Sequence, residues 1–166
     1  HRLWPIYEIC EKKSIPVLTH CGGEIISTDI LDFDVMNGDQ AMNIKGENRE
    51  EIATILNNPE LWRPVLEKFP KLKLCFGHFG GGHLWDPNKP DAQDRTAILE
   101  FMREYDNVYA DFSFSLENQV LTDKLLETLV QEPAIRSKTL FGTDYWVINM
   151  NKNLKKAQTN FIESLN

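Results

Sequence analysis

Short apolar runs alternate with amphipathic stretches along this chain. Four of the runs have the length of buried strands and end at glycine, proline or polar residues, which is typical of strands in a covered sheet. They span residues 15–19, 72–76, 108–112 and 138–141. We predict a strand at each of them.

Helical spacing of apolar residues marks the stretches between the strands. The predicted helices span residues 2–13, 48–56, 58–69, 92–105, 119–131 and 152–165. Asn58 followed by Pro59 is typical of a helix start, and Pro70 ends that helix. In the first helix, the apolar side comprises Leu3, Ile6, Tyr7, Ile9 and Cys10.

Strands that alternate with helices indicate an α/β fold with parallel strands. We expect residues 1–166 to form a single domain. Two architectures fit this order: an open doubly wound sheet, or four of the eight units of a TIM barrel. Residues 24–46 and 84–94 interrupt the pattern, and we expect both to be rim loops, the first an insertion with room for a short helix.

Composition narrows the classes of partner. The 166 residues carry a net charge of −7, with 42% hydrophobic and 26% charged residues. An acidic chain without clustered lysine and arginine does not fit binding to nucleic acid or to an anionic membrane. Cys10, Cys21 and Cys75 show no metal-binding spacing and are odd in number, which favours reduced thiols and a cytoplasmic location.

Three chemically active side chains follow predicted strands. His20 and His78 come directly after the first two strands or one residue later, and Asp144 follows the fourth. Parallel α/β folds place their chemistry at these carboxyl ends. Two imidazoles and a carboxylate suit a zinc-like divalent ion, which activates a water molecule or polarises a substrate oxygen.

Each of these residues also has a purely structural interpretation. The two histidines could serve as hydrogen-bonding groups at the rim, and Asp144 could cap the turn after Gly142. His83 is either an exposed loop residue or a substrate contact, and Asp111 either a hydrogen-bond anchor or a site residue. Trp85 and Trp146 fit aromatic packing or a pocket wall, and the glycine run 80–82 lacks the spacing of a phosphate-binding loop.

The motifs at the strand ends, taken in order, resemble one family. They are His20-Cys21-Gly22, His78-Phe79-Gly80-Gly81 and Gly142-Thr143-Asp144, with Val108-Tyr109-Ala110-Asp111 on the strand between the last two. This order is similar to strands five to eight of the amidohydrolase-related metal-dependent hydrolases, and in particular to the aminocarboxymuconate-semialdehyde decarboxylase-like branch. Family members are eight-stranded (β/α)8 barrels whose first strand carries a His-x-His pair, which this sequence lacks.

The resemblance implies roles for the three residues. His20 would be a metal ligand, His78 a ligand or the group that polarises substrate or water, and Asp144 a ligand and general base. It also implies that the chain is the second half of a barrel and a fragment of a longer protein. We expect zinc as the divalent metal, with weak or no binding by this half alone.

Two classes of function follow. The first is a metal-dependent enzyme that hydrolyses a C–N or C–O bond, or removes CO2 without oxidation, in a small carboxylic-acid-type substrate. The second is a non-catalytic half-barrel that self-associates as a homo-oligomer, since an open half exposes two sheet edges. Metal content and dimer formation distinguish the two.

Overall fold

The computed structural model describes residues 2–21, 33–37, 40–44, 56–80, 92–113, 119–142 and 159. Its strands are β1 (Val17–Thr19), β2 (Phe33–Asn37), β3 (Gln40–Ile44), β4 (Leu74–Phe76), β5 (Val108–Asp111) and β6 (Thr139–Leu140). Its α-helices are α1 (Trp4–Lys13), α2 (Arg63–Lys68), α3 (Ala92–Glu104), α4 (Gln119–Gln131) and α5 (Pro133–Ser137). Two 3-10 segments, Pro59–Trp62 and Gly77–Gly80, complete the described elements.

A parallel four-stranded sheet is the centre of the fold. Its strands lie in the order β1-β4-β5-β6, and every neighbouring pair is parallel. The predicted α/β fold with a parallel sheet is therefore confirmed, as are the strands themselves and the helices expected at 92–105 and 119–131. The helices predicted at 48–56 and 152–165 lie almost entirely outside the described residues.

Within the expected first rim loop the structure has a β-hairpin instead. β2 and β3 pair antiparallel, with Asn37 opposite Gln40, so the connection is only two residues long. Those two residues are Gly38 and Asp39, a combination that favours a tight hairpin turn. The prediction of a rim loop with a short helix at 24–46 is therefore wrong for residues 33–37 and 40–44, which pair as strands.

The two faces of the parallel sheet differ in burial. On one face Leu74, Phe76, Val108 and Ala110 are completely buried against the helices. Phe76 stacks on Phe101 of α3 with ring centroids 6.0 Å apart. On the other face Leu18, Cys75 and Tyr109 lie side by side in the strand register, and Leu18 is 64% exposed. The helices cover one face of the sheet, and the second face is more open to solvent.

Helix α1 packs with only part of the side expected, through Tyr7 and Cys10 of the predicted stripe. Its partly buried residues Trp4, Tyr7 and Cys10 contact the cluster of Val65, Phe69 and Leu72. The remaining apolar residues of the predicted stripe stay more than half exposed; they are Leu3, Ile6 and Ile9. Aromatic contacts explain the choice, because Tyr7 meets both Trp62 and Phe69 and Trp4 meets the edge of Phe69.

Two further expectations concern the whole chain. All three cysteines lie in described segments, and no disulfide joins them, in agreement with reduced thiols. Of the helices in the described ranges, none combines the length and the apolar character that crossing a bilayer requires.

Candidate functional site

Two imidazole rings meet at the carboxyl end of the sheet. His20 directly follows β1, and His78 lies in the 3-10 turn after β4. Their Nε2 atoms are 3.1 Å apart although 58 residues separate them in the chain. The ring centroids are 5.0 Å apart with a 38° tilt. Parallel pairing of β1 with β4 therefore brings together two of the three side chains identified at strand ends.

Gly77 lies next to the His20 ring. Thr19 pairs with Phe76 in the strand register, so the next residues along, His20 and Gly77, are neighbours. A Cβ atom added at Gly77 would lie 3.4 Å from His20 Cδ2 and 3.4 Å from the Thr19 carbonyl oxygen. A methyl group at this position would therefore lie at the limit of ordinary contact with the His20 ring and the Thr19 carbonyl.

The backbone at His78 adopts an uncommon conformation. His78 and Phe79 have φ angles of 55° and 50°, in the left-handed region that residues other than glycine seldom enter. Such a conformation costs on the order of 1 kcal/mol or more and persists where the surroundings hold it. Here the Phe79 side chain is buried to 1% exposure, and the His78 backbone N–H donates to Asp111 Oδ1 at 3.3 Å.

Asp111 accepts three hydrogen bonds from His78 and Ser113. Besides the His78 backbone N–H, its Oδ1 accepts the Ser113 backbone N–H at 3.1 Å and the Ser113 hydroxyl at 2.6 Å. Ser113 Oγ in turn lies 2.8 Å from His78 Nδ1. Of the two interpretations left open for Asp111, the hydrogen-bond anchor is the one that these contacts support.

Ser113 is a site residue that the sequence reasoning missed. Its side chain is 5% exposed and contacts both His78 and Asp111. A signal was available: Asp111 and Ser113 are two residues apart at a strand end, and alternate residues of a strand face the same side. Serine is too common at strand ends for that spacing alone to identify a contact with His78.

Cys75 lies on the same face but does not offer a thiolate. Burial, and to a lesser extent the charge of Asp111, raises the pKa of the Cys75 thiol from an ordinary value of 9.0 to about 11. The group is thus protonated at neutral pH, and thiolate is the form that binds metals or attacks substrates. Among the described residues, the two histidines and the Asp111 carboxylate are left as the reactive groups at this end of the sheet.

A cleft of about 330 Å³ lies beside β1 and reaches His20. Its lining includes Tyr7, Thr19, His20, Asn58 and Trp62. Apolar rings and a few polar groups are usual in pockets for small molecules, and the volume is at the lower end of their range. Burial raises the pKa of Tyr7, so its hydroxyl stays protonated at neutral pH.

Several candidates fall outside the part of the chain that the structure describes. These are Asp144, His83, Trp85, Trp146 and most of the glycine run 80–82. Among the described residues, no three His, Cys, Asp or Glu side chains are grouped so as to hold a metal ion. The described part of the candidate site is thus the pair His20 and His78, supported by Asp111 and Ser113.

Comparison with known proteins adds one finding. A family model for amidohydrolases matches residues 1–163, nearly the whole chain. No curated protein and no solved structure matches the chain.

Proposed function

The chain belongs to the amidohydrolase family, whose fold is a TIM barrel, and from this premise we propose a metal-dependent reaction on a small carboxylic-acid-type substrate. The reaction is hydrolysis of a C–N or C–O bond, or decarboxylation without oxidation. The observation that supports it best is the 3.1 Å separation of His20 Nε2 and His78 Nε2 at the carboxyl end of a parallel sheet. Enzymes built on such barrels carry their active sites at that end.

The spacing of the two imidazoles fits a shared cation. Two nitrogen ligands of a tetrahedral zinc, with bonds of about 2.0 to 2.1 Å, lie about 3.3 Å apart. The observed 3.1 Å is close to this value. His20 is exposed, so an ion or substrate has access to the pair from the His20 side, while the side chain of His78 is only 17% exposed. The donor set is thus suitable for a divalent metal, with zinc as the first candidate.

Each residue has a role in the proposal. His20 holds the metal, His78 holds it or polarises the substrate, and Asp144 supplies a further ligand and the general base. A bound divalent cation would lower the pKa of water or polarise a substrate oxygen. Leu18, Cys75 and Tyr109 precede the site on the same face of the sheet and would form an apolar floor beneath it.

We also propose that the sheet is the second half of the barrel, strands five to eight, as in the aminocarboxymuconate-semialdehyde decarboxylase-like branch. The uneven burial of the two sheet faces supports this proposal. Parallel sheets occur almost only with both faces covered, yet Leu18 is 64% and Leu140 43% exposed on the face away from the helices. Side chains of four further strands would cover that face in a closed barrel.

A second candidate function is self-association without catalysis. Phe141 is 58% exposed next to the β6 edge, and Leu3, Ile6 and Ile9 are exposed on α1 near the β1 edge. Apolar groups at open sheet edges favour pairing with a second copy. A homo-oligomer that buries these groups, in the reducing cytoplasm that the unlinked cysteines fit, is the form that we propose for this alternative.

Metal titration of the purified chain tests the proposed function. We expect weak binding of one zinc ion per chain by calorimetry, and of cobalt(II) by its visible spectrum. Replacing His20 or His78 by alanine should weaken binding by at least about tenfold, because even outer-shell changes have that effect on metal sites. Product analysis on ester, lactone and carboxylic acid substrates then distinguishes hydrolysis from CO2 release.

The control is His83→Ala, which removes an imidazole that does not belong to the pair and should leave the affinity unchanged. Equal affinity in the His20→Ala, His78→Ala and unaltered chains would contradict the metal assignment. A chain that takes up no zinc at millimolar concentration but forms a stable dimer in sedimentation would favour the self-associating alternative.

A further inference from the structure

We propose that Asp111 and Ser113 are positioning residues that hold the His78 imidazole in one tautomer, with its proton on Nδ1. They do so through a short relay from the Asp111 carboxylate to the Ser113 hydroxyl and on to the ring. The side chains are well screened from water: Ser113 is 5% exposed, and those of Asp111 and His78 are 15% and 17% exposed. The relay adds Asp111, the last residue of β5, and Ser113, two residues later, to the candidate site.

The direction of the relay follows from what a carboxylate can do. An ionised carboxyl group accepts hydrogen bonds and has none to donate. Oδ1 of Asp111 lies 2.6 Å from Ser113 Oγ, so the serine hydroxyl donates its single proton to Asp111. The same oxygen atom also accepts two backbone N–H groups, from His78 and Ser113, which hold the carboxylate in place.

Once its proton is directed to Asp111, the serine hydroxyl can only accept from the ring. Ser113 Oγ is 2.8 Å from His78 Nδ1, so Nδ1 must be the atom that carries the proton. Asp111 cannot replace the serine in this role, because its Oδ1 is 3.7 Å from His78 Nδ1, beyond hydrogen-bond length. Ser113 is therefore the link that selects the tautomer.

The tautomer determines what the opposite nitrogen of the His78 ring, Nε2, can do. With the proton on Nδ1, His78 Nε2 presents a lone pair toward His20 Nε2, 3.1 Å away. In the absence of a cation, His20 then donates its Nε2–H to His78. The statement that this lone pair binds a metal or accepts a substrate proton rests on the proposed function. The tautomer itself does not rest on it.

Nitrogen-15 spectroscopy of the imidazoles in the full chain, with no metal added, tests the inference. At about pH 8, above the ordinary histidine pKa, the neutral tautomers have distinct ring-nitrogen shifts. The His78 signals are assigned by their loss in His78→Gln. We expect Nδ1 of His78 to be the protonated nitrogen and Nε2 the bare one.

Variants then test each part of the relay. Ser113→Ala should lower the ratio of the Nδ1–H to the Nε2–H form of His78 by about fivefold, the effect of one lost hydrogen bond. Asp111→Asn keeps an accepting oxygen for the serine and should preserve the tautomer. Asp111→Ala lets the serine donate to the ring and should favour the Nε2–H form.

Ser137→Ala is the matched control. Among the contacts described, the Ser137 hydroxyl bonds only to the exposed Ala134 carbonyl, and Ser137 lies at the end of α5 and not next to His78. It should leave the His78 signals unchanged. An Nε2–H tautomer of His78 in the unaltered chain, or an unchanged ratio in folded Ser113→Ala, would overturn the relay. If Ser113→Ala does not fold, the tautomer measured in the unaltered chain and in Asp111→Asn still supports or overturns it.

The two proposals fail separately in these experiments. The tautomer is measured without metal or substrate, so a chain that shows the Nδ1–H form and binds no zinc, even when it is joined with four further strands, retains the relay and loses the proposed function. A chain that binds zinc through His78 with the opposite tautomer retains the function and loses the relay.

Discussion

Gly142 lies directly against Ser113. A Cβ atom at position 142 would be 2.9 Å from Ser113 Cβ and 3.5 Å from Ser113 Oγ. The register explains the contact: Asp111 is opposite Leu140 on β5 and β6, so the residues two further along, Ser113 and Gly142, are neighbours. Glycine at this position allows the serine to reach His78.

Replacing Gly142 by alanine should therefore displace Ser113 and lengthen its bond to His78. Overpacking of a buried contact typically costs about 1–3 kcal/mol, and we expect a loss in that range in the free energy of unfolding. Urea unfolding measures the loss, and the His78 nitrogen shifts report the broken contact.

Gly77→Ala is the comparison for this variant. The nearest atoms to an added Cβ there are 3.4 Å away, at the limit of ordinary contact, so we expect a smaller loss of stability than at Gly142. A Gly77 variant that is destabilised as much as the Gly142 variant would contradict the steric explanation.

Phe76→Ala should strongly destabilise the sheet. The ring is fully buried and stacks on Phe101, and removing a buried aromatic side chain typically costs about 3–5 kcal/mol. Leu18→Ala on the opposite face should change the free energy of unfolding by less than about 0.5 kcal/mol in this chain, because Leu18 is already 64% exposed.

Leu18→Ala also tests the barrel proposal. When the chain is joined with four further strands, Leu18 should become buried and its truncation should become costly, in the range of about 2–5 kcal/mol for core leucines. An unchanged effect of Leu18→Ala in the joined protein, measured by the same urea titration, would contradict a closed barrel.

Cys75 should react slowly with iodoacetamide. With its pKa raised to about 11, its thiolate fraction at neutral pH is roughly a hundredfold below that of a thiol at the ordinary value of 9.0. The rate should rise about tenfold per pH unit until pH approaches the pKa. Site-resolved mass spectrometry measures it, with the urea-unfolded chain as reference; equal rates in the two states would be inconsistent with the raised pKa.

The ion pair between Arg103 and Glu132 should stabilise the chain in a pH-dependent way. Both contacts of the pair are 2.8 Å long, and the hydrogen bond from Arg103 lowers the pKa of Glu132 below 4.5. Glu132→Gln should lower the free energy of unfolding by up to about 1 kcal/mol near neutral pH, since partly exposed pairs contribute little more.

The sign of the pH effect follows from the lowered pKa. The stabilisation by Glu132 is present above the pKa of the unfolded chain, near 4.5, and is lost as pH falls through the lower folded value. Stability curves of the variant and the unaltered chain should converge as the pH falls from the ordinary value of 4.5 through the lower folded pKa of Glu132. A difference in the free energy of unfolding between the two chains that stays constant from pH 7 to pH 3 would show that the charge of Glu132 does not cause the stabilisation.

Most of the fold could be predicted from local pattern. The helix expected at 119–131 has those bounds in α4, and the four parallel strands lie within the predicted runs. The hairpin of β2 and β3 was missed because the mixed polarity of the segment is typical of loops. The turn signal at Gly38-Asp39 is short and does not by itself identify the two flanking segments as strands. The apolar stripe of α1 was predicted only in part, because periodicity marks apolar residues but does not say which of them a neighbouring helix will cover.

The candidate site was predictable in part. His20 and His78 were identified by their position after strands, and their proximity follows from parallel pairing of β1 with β4. The support from Asp111 and Ser113 was not, because a hydrogen-bond relay depends on distances of a few tenths of an ångström between two strand ends. Asp144 stays a prediction.

The sequence by itself determined the alternation of strands and helices, the lack of clustered basic residues and the identity of the imidazoles at strand ends, because each depends on residue type and spacing along one chain. Only the tertiary structure decided which strands are neighbours, which sheet face the helices cover and which atom of His78 faces Ser113. Those properties arise where segments far apart in sequence pack at atomic distances, and composition and periodicity carry no measure of such distances.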